Sequence, residues 1–274
     1  MSIRYRLNRM FFTSGRCLTV AADHGIHGDM EMLRGLEEMK TIIPSIISAG
    51  ADAIHLTPGT AHILQEVAGR TKPALVLRAD STNVYGPRPS TPYCRLIGDA
   101  VDEGLRFDAA CIIVNLLDLP DQPGLKAECI DNINKLRSEC DRTAMPLMVM
   151  PLPMKLGSAG GYVADNALDR LIPLARMAAE LGADVIESDP PEHLSDFHKV
   201  VKAAGVPVLA RGGSKVPDDE LMKRTQEVVK QGASGIVYGR NVIQHADPRK
   251  MTVALLALIH ANASPEQALK ILKG

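Results

Sequence analysis

An acid placed directly after a short apolar run is the first residue in this chain whose position suggests chemistry. Glu187 follows the run Ala183–Ile186, and Asp189 comes two residues later, just before two prolines. A buried parallel strand that ends in this way carries its carboxylates to one edge of a sheet. A carboxylate placed there can act as a general base or bind a substrate hydroxyl.

Two glycine-containing turns with basic residues provide the strongest local signal. The first comprises Arg211, Gly212, Gly213, Ser214 and Lys215, and the second comprises Gly239 and Arg240. Glycine lets backbone N–H groups approach an anion, and the basic side chains add positive charge. Turns that only redirect the chain, with solvated cations, can have the same composition. Position and composition together favour a phosphate-binding site.

Asp23 and His24 follow another apolar run, Cys17–Ala22. They could orient a substrate hydroxyl or transfer a proton, although Asp-His-Gly is also typical of a solvated turn. His55 lies inside an apolar run, where a single histidine is more often a hydrogen-bonded core residue. The Gly- and Pro-rich stretch Val84–Pro92 is long enough to serve as a lid.

The acids and histidines near the predicted strand ends could also be metal ligands. They are Asp23, His24, His27, Asp29, Glu187 and Asp189. Their spacing matches neither HxH nor HExxH. We therefore predict a site without a metal or other cofactor, and a divalent metal is the alternative.

Eight apolar runs alternate with amphipathic segments along the whole chain, which indicates the fold. The runs are Cys17–Ala22, Ala53–Leu56, Ala74–Leu77, Ala109–Val114, Pro146–Met150, Ala183–Ile186, Val206–Ala210 and Ser234–Tyr238. They are rich in Val, Ile and Leu with little polar alternation, as in strands buried on both faces. The amphipathic segments are Leu33–Ala49, Leu125–Cys140, Ala167–Leu181, Leu194–Ala204 and Asp218–Gln231.

These eight β–α units predict a single (β/α)8 TIM-barrel domain over residues 1–274, with an open doubly wound sheet as the alternative. Glycines just before several runs, at Gly50, Gly182, Gly205 and Gly232, indicate helix C-caps. An extra C-terminal helix is predicted at Pro265–Leu272, with Ser264 and Gln267 forming a capping box. Barrel enzymes carry their chemistry after the strands, where all the candidates above fall.

Composition limits the partners of the chain. Its 274 residues have a formal net charge of -1 and only 3% aromatic residues, which argues against nucleic acid or an anionic membrane. Met1–Phe12 lacks the apolar core of a signal peptide, and no apolar run is long enough to span a bilayer. The five cysteines contain no C-x-x-C pair, so we expect a reduced, cytoplasmic protein.

Two motifs resemble those of a known family. They are Ala22-Asp23-His24-Gly25 and the Gly239-Arg240-Asn241 motif, which continues to Gln244-His245. The chain is similar over nearly its whole length to the DeoC/LacD-type class I aldolases. Within that family it resembles the archaeal-type fructose-bisphosphate aldolases, the aminodideoxyheptulosonate synthases and the phosphorylated autoinducer-2 thiolase. The resemblance implies a homo-oligomeric barrel that binds a phosphorylated small molecule. It also implies that Asp23 orients or protonates the substrate and that the two glycine turns bind its phosphate.

Two positions depart from the family pattern. The lysine that forms a Schiff base at the end of the sixth strand is replaced by Glu187, and the tyrosine on the fifth strand by Leu152. A carboxylate cannot form an imine with a carbonyl. The resemblance therefore implies an aldolase-like carbon–carbon lyase for a phosphorylated ketose or keto acid that uses another route. Lys155 is the nearest alternative amine, and a metal is the other candidate electrophile.

Two other functions stay open for Glu187. It could be the general base of a phosphosugar isomerase or epimerase, or the chain could bind a phosphosugar without catalysis. Arg78, Lys155 and Arg211 follow other predicted strands and could surround Glu187 with positive charge. We therefore expect Glu187 to be ionised.

Overall fold

Eight parallel strands close into a barrel in the computed structural model of the chain, which describes residues 2–11 and 13–274. The strands, including three short ones outside the barrel, are β1 (Cys17–Ala21), β2 (Ala53–Leu56), β3 (Ala74–Arg78), β4 (Asp80–Thr82), β5 (Cys94–Leu96), β6 (Cys111–Asp118), β7 (Leu147–Leu156), β8 (Tyr162–Ala164), β9 (Val185–Ser188), β10 (Val208–Arg211) and β11 (Gly235–Tyr238). The barrel order is β6-β3-β2-β1-β11-β10-β9-β7, and β6 pairs with β7 to close it. The predicted TIM barrel is confirmed, and the open-sheet alternative is wrong.

Helices separate the barrel strands along the chain. They are α1 (Ile3–Leu7), α2 (Met30–Leu33), α3 (Met39–Ala49), α4 (Ala61–Glu66), α5 (Ala100–Arg106), α6 (Pro123–Thr143), α7 (Leu168–Glu180), α8 (Phe197–Ala204), α9 (Asp218–Lys230), α10 (Arg240–Ile243), α11 (Pro248–Ala261) and α12 (Pro265–Lys273). All residues of β1, β2, β3, β9 and β11 are buried, as expected for strands between a helical layer and a packed interior. In the described part of the chain, no helix is both long and apolar enough to cross a membrane.

One predicted helix, Leu33–Ala49, begins later in the structure than the sequence indicates. Helix α2 ends at Leu33 and α3 begins at Met39. Between them Gly35 has φ +84°, and a Cβ built there would lie 2.5 Å from the carbonyl oxygen of Ile243. Only glycine tolerates this combination of left-handed backbone and close approach, so the helix begins after this residue.

Two antiparallel hairpins lie at the ends of strands where we predicted loops. Strand β4 pairs with β5, and β7 pairs with β8 beyond the barrel. The run predicted to stop at Met150 continues through Pro151 and Pro153 to Leu156. Proline ordinarily argues against an internal strand, but Pro151 and Pro153 still pair with β6. The pairing of β7 with β9 covers Met148 and Val149, so the prolines lie beyond it on that side of the strand.

The extra C-terminal helix is confirmed as α12. Ser264 Oγ accepts from the N–H of Gln267 at 3.3 Å, and Gln267 Oε1 accepts from the N–H of Ser264 at 2.8 Å. Ala268 and Leu272 are buried where α12 packs on α9 and α11, outside the barrel. Met1 and Phe12, at the ends of the segment considered as a signal peptide, lie outside the described residues. The boundary of a single domain at 1–274 stays a prediction.

Candidate active site

A narrow chamber with a cavity volume of about 30 Å³ lies at the C-terminal ends of the barrel strands, and we call it the inner chamber. Its ionisable lining residues are Asp23, His24, His27, His55, Arg78, Tyr85, Glu187, Arg211 and Arg240. Among residues 2–11 and 13–274, no lysine lines it. This is the end of the barrel where enzymes of this fold carry their active sites.

A chain of buried charges joins strands β1 and β3 at one side of the inner chamber. Arg78 Nε donates to Asp23 Oδ2 at 2.8 Å, and Arg78 Nη1 lies 3.5 Å from Asp80 Oδ1. Burial alone would raise the pKa of Asp23, but Arg78, His55 and His24 outweigh it and hold that pKa well below its ordinary value. The Asp23 carboxylate is therefore permanently charged.

Asp80 is itself held by three donors on neighbouring elements. It accepts the backbone N–H of Asn115 at 2.8 Å and the Asn115 side-chain amide at 3.0 Å. The Cys94 thiol donates to Asp80 Oδ2 at 3.1 Å, the oxygen that also accepts the backbone N–H of Asn115. Arg78 is thus fixed between two aspartates, one of which is rigidly supported.

Glu187 occupies a different environment in the same chamber. It is 4% exposed, and its Oε2 atom has no hydrogen-bond partner among the described residues. Burial raises its pKa to about 7, although Arg211 and Arg78 lower it. The expectation that Glu187 is fully ionised is therefore wrong, because the cost of burying the charge exceeds the attraction of the two arginines. A carboxyl group with a pKa near 7 can both accept and donate protons near neutral pH.

His55 lies beside Glu187, with 4.0 Å between Nδ1 and Oε2. Its side chain is fully buried, and neither ring nitrogen has a hydrogen-bond partner in the described part of the chain. Burial lowers the pKa of His55 to about 3, although Asp23 raises it, so the ring is neutral at pH 7. We expected a hydrogen-bonded core histidine, and that expectation is wrong.

Two more histidines line the inner chamber in their neutral form. Burial lowers the pKa of His24 to about 4 and that of His27 to about 3, and Asp23 acts in the opposite direction on both. The Nδ1 atoms of both rings are buried without a hydrogen-bond partner among the described residues. The His27 ring lies 4.4 Å from the ring of Tyr85.

The two glycine turns come together at the opposite side of the chamber. Arg211 Nη1 donates to Asp189 Oδ2 at 2.9 Å, so this cation already has a partner. The Arg240 side chain forms neither a hydrogen bond nor an ion pair with the described residues, and burial lowers its pKa. A Cβ at Gly212 would lie 2.7 Å from the Tyr238 ring, and one at Gly239 would clash with the His24 ring. The glycines therefore permit close packing as well as the turns themselves.

Lys215 and Lys155 do not reach the inner chamber. Lys215 Nζ donates to the carbonyl of Gln244 at 2.6 Å. Lys155 lies on the β7–β8 hairpin, where its half-exposed side chain is 3.6 Å from Asp165. Neither lysine lines the inner chamber or the adjoining one, so the structure does not bring Lys155 to Glu187.

A second chamber, which we call the outer chamber, adjoins the first and has a cavity volume of about 460 Å³. Both chambers are lined by Met32, Tyr85, Arg211, Gly213 and Arg240. The outer chamber also has an apolar wall that includes Leu152, Met154 and Tyr162. Leu152 therefore lies near the site, on the surface that a substrate would cross.

The stretch predicted as a lid, Val84–Pro92, contributes Tyr85 to the lining of both chambers and Gly86 to the lining of the outer one. Arg88 pairs with Asp121, and the Tyr162 hydroxyl donates to Asp121 Oδ1 at 2.9 Å. The Arg88 guanidinium also lies 5.6 Å from the centre of the Tyr162 ring. These contacts join the stretch to the β7–β8 hairpin.

Metal binding has little geometric support in this region. The described residues contain no group of three or more His, Cys, Asp or Glu side chains arranged to hold an ion. The orphaned imidazole and carboxyl atoms belong to His24, His27, His55 and Glu187, and they line the chamber without converging as a ligand set. A site without a cofactor stays a prediction.

The sequence favoured a core role for His55, included Tyr85 only within the predicted lid and gave Arg78 only a general role. His55 lies among aliphatic residues on β2, and every residue of this strand is buried. The pattern therefore does not reveal which face of the strand His55 occupies. Tyr85 directly follows the hairpin strand β4 at the start of the predicted lid. Its position in that stretch is the signal that could have identified Tyr85 as a lining residue.

Comparison with known proteins agrees with this geometry. The model of the DeoC/LacD family aldolases matches residues 17–245. The chain belongs to the DeoC/LacD aldolase family. An uncharacterized aldolase from Saccharolobus solfataricus is 29% identical over 270 residues, 96% of each chain. A 2-amino-3,7-dideoxy-D-threo-hept-6-ulosonate synthase from Halobacterium salinarum is 31% identical over 265 residues, covering 96% of this chain and 94% of the relative.

Solved structures lead to the same family. A Schiff base forming fructose-1,6-bisphosphate aldolase superposes with a TM-score of 0.77 and 26% identity, covering 94% of this chain and 100% of that one. The family resemblance predicted from the two motifs is thereby confirmed. As a DeoC/LacD family member, the protein is assigned to the carbon–carbon lyases, while the roles of its individual site residues stay predictions.

Proposed function

We propose that this family member is a carbon–carbon lyase for a phosphorylated ketose or keto acid and that it works without a lysine imine. The observation that carries the proposal is Glu187, a buried carboxyl group whose pKa is raised to about 7 and whose Oε2 has no partner among the described residues. It lies in a chamber that also contains neutral histidines and two arginines of the glycine turns. Proton transfer, rather than amine chemistry, suits this set of side chains.

The proposed cleavage is a retro-aldol reaction in which Glu187 moves the proton. The Glu187 carboxylate removes the proton from the hydroxyl group on the carbon β to the substrate carbonyl. The bond between the α and β carbons breaks, an aldehyde leaves, and the electron pair reaches the carbonyl oxygen as an enolate. Protonated Glu187 then returns its proton to the α carbon, which gives the ketone product. A carboxyl group with a pKa near the working pH suits both steps.

The neutral histidines and Arg78 are the proposed donors to the enolate oxygen. His55 is 4.0 Å from Glu187 and has both ring nitrogens free of partners in the described chain. A neutral imidazole donates one N–H, and a fixed donor aimed at developing negative charge lowers the barrier. The phosphate of the substrate is assigned to Arg240 and the glycine turns, because Arg240 has no carboxylate partner among the described residues.

An isomerase or epimerase is the second candidate function. The same carboxyl group could remove a proton directly from the α carbon of a phosphorylated carbonyl compound and return it elsewhere. The raised pKa of Glu187 favours this reaction as much as cleavage, since both pass through an enolate. The family membership favours cleavage.

The test combines three measurements on one set of variants. The protein is incubated with fructose 1,6-bisphosphate or dihydroxyacetone phosphate in deuterated water, and aldehyde release and deuterium incorporation are followed. Borohydride is then added and the intact mass measured. Glu187→Gln should abolish release and exchange, whereas the matched control Glu192→Gln, an exposed acid beyond the same strand, should retain both.

Different outcomes point to different functions. Exchange without cleavage would replace the lyase with the isomerase or epimerase. A borohydride-trapped adduct on Lys155 or any other lysine would contradict the proposal that the reaction proceeds without a lysine imine. Activity that survives Glu187→Gln would contradict its role as base. Activity that is lost on treatment with a chelator and restored by a divalent cation would assign the electrophile to a metal.

A further inference from the structure

The inner chamber is too small for a sugar phosphate in this conformation. Its cavity volume of about 30 Å³ is enough for one or a few water molecules, whereas pockets for small molecules usually measure about 300–1,000 Å³. The outer chamber, at about 460 Å³, lies within that range. Glu187 lines the inner chamber and not the outer one. A molecule in the outer chamber therefore reaches Glu187 only if the wall between the chambers moves.

Tyr85 is the part of that wall that belongs to a loop. Among the described residues it is the single aromatic one that lines both chambers, and its ring centre lies 4.4 Å from that of His27. Arg211, which also lines both chambers, is fixed by the pairing of its strand and by its bond to Asp189. Tyr85 instead lies on the stretch Val84–Pro92, which has no helix or strand. It can therefore move without disturbing the barrel.

The two ends of this stretch are held together at its base. Asn83 Nδ2 donates to the carbonyl of Thr91 at 3.1 Å, and Asn83 Oδ1 accepts from the N–H of Tyr93 at 3.0 Å. Within the stretch, Gly86 has φ +80°, a backbone conformation that glycine adopts readily. The base stays fixed while the residues between its ends can rotate, which is the arrangement of a hinged lid.

The tip of the stretch is held by contacts that are partly open to solvent. Arg88 pairs with Asp121, and its guanidinium lies 5.6 Å from the centre of the Tyr162 ring. The side chain of Arg88 is 45% exposed and that of Asp121 is 30% exposed. Ion pairs that water reaches are weak, so this group of three residues, which we call the latch, opens at little cost.

We propose that Tyr85 is the gate residue between the two chambers and that the latch keeps the gate closed. When Arg88 leaves Asp121, the stretch rotates about its base and Tyr85 withdraws, which joins the chambers into one site that contains Glu187. The inference concerns access to the site. It therefore goes beyond the proposed function and holds whichever reaction Glu187 catalyses.

Chemical modification of histidine measures the gate without any substrate. Diethyl pyrocarbonate reacts with neutral imidazole and is larger than the inner chamber, so it reaches the fully buried His55 only when the gate is open. His62, which is exposed on α4, is the internal reference. Alkylation of the buried Cys111 by N-ethylmaleimide reports global unfolding. In the wild type, His55 should react about tenfold or more slowly than His62, because local opening limits its rate.

Breaking the latch should accelerate the modification of His55. Arg88→Gln should raise that rate about threefold to tenfold, as expected for the loss of an exposed ion pair and a ring contact. Arg106→Gln is the matched control, since Arg106 also pairs with a carboxylate, that of Glu103, and lies 4.8 Å from the ring centre of Phe107. Arg106 lines neither chamber, so its substitution should leave the rate at His55 unchanged.

Removing the gate residue should make the latch irrelevant. In Tyr85→Ala, His55 should react at least as fast as in Arg88→Gln, and the double variant should react no faster than Tyr85→Ala alone. A further rise in the double variant would show that the latch does not act through Tyr85.

Three other results would overturn the inference. In the wild type, equal rates at His55 and His62 would mean that the inner chamber is already open. An unchanged rate at His55 in Arg88→Gln would mean that the latch does not close it. A parallel rise at Cys111 would attribute faster modification to unfolding. None of these results depends on turnover, so the proposed reaction at Glu187 stands or falls by its own test.

Discussion

Asp23 and Glu187 are buried carboxyl groups in the same chamber, yet their pKa values are shifted in opposite directions. Burial raises the pKa of both groups. Arg78 donates to Asp23 at 2.8 Å and reverses the effect there, whereas Glu187 Oε2 has no donor among the described residues. The comparison shows that burial makes a carboxyl group sensitive to its neighbours, and that one direct donor decides its charge.

The difference follows from how Arg78 is fixed. Its Nε faces Asp23 and its Nη1 faces Asp80, which is held by Asn115. Glu187 feels the positive charge of Arg78 only at longer range. One side of the chamber is therefore a permanent ion pair that positions groups, and the other is a site for proton transfer.

The largest expected effect separates the two carboxyl groups kinetically. Glu187→Gln should lower kcat on the order of a thousandfold, since general acid–base catalysis contributes about 10²–10⁴-fold. Asp23→Asn should instead move the rising limb of the pH–rate profile to lower pH, because the Asp23 charge raises the pKa of Glu187. Steady-state rates between pH 5 and 9 measure both. A limb that stays in place in Asp23→Asn would show that the two groups are not coupled.

Removing the cation should break the permanent pair. Arg78→Met leaves Asp23 and Asp80 charged and buried, which should cost about 3–5 kcal/mol of unfolding free energy. Urea unfolding at pH 7 measures the loss. The control Arg95→Met removes an exposed arginine on β5 that contacts Tyr93, and surface substitutions of this kind change stability by about 0.5 kcal/mol or less. Equal losses in the two variants would contradict the importance of the buried pair.

The pH dependence of stability should distinguish Glu187 from its neighbours. The folded protein holds the Glu187 proton more tightly than the unfolded chain, so this group lowers the unfolding free energy as pH rises from about 4.5 to about 7. The contribution is roughly 3 kcal/mol at 1.36 kcal/mol per pKa unit. The buried histidines act oppositely, because their pKa values are lowered and stability is lost as pH falls below about 6.5.

The difference between the wild type and Glu187→Gln isolates the carboxyl group from those histidines. Relative to the wild type, the variant should become progressively more stable between pH 5 and 8, as measured by urea unfolding at four pH values. A constant difference over that range would contradict the raised pKa. Asp23 should contribute no slope there, because its pKa lies far below this window.

The sequence predicted the barrel because its signals are local. Apolar runs and C-cap glycines identify strands and helix ends, and Gly50, Gly182, Gly205 and Gly232 all have positive φ in the structure. The glycine turns and Glu187 were also found, since their positions follow from the order of strands. The β7–β8 hairpin was not found, because Pro151 and Pro153 argue against a strand, although both pair with β6 in the structure.

The protonation states of the site residues could not be predicted from the sequence, for a different reason. Whether Arg78 bonds to Asp23 or to Glu187 depends on distances between residues that are far apart in the sequence, 55 positions for Asp23. The strands carry no polar alternation, so His55 could not be assigned to the chamber or to the helical layer. Lys155 was placed beside Glu187 by its strand number alone, and the hairpin carries it away.

The smallest expected effect concerns the support of Asp80. Cys94→Ala removes a thiol that lies 3.1 Å from Asp80 Oδ2, and it should cost about 1 kcal/mol of unfolding free energy, as expected for one hydrogen bond. The pH–rate limb assigned to Glu187 should not move, because both amide donors of Asn115 still hold the Asp80 carboxylate. Urea unfolding and the pH profile of kcat measure the two quantities. A shifted limb would mean that the position of Arg78, and with it the contrast between Asp23 and Glu187, depends on this thiol.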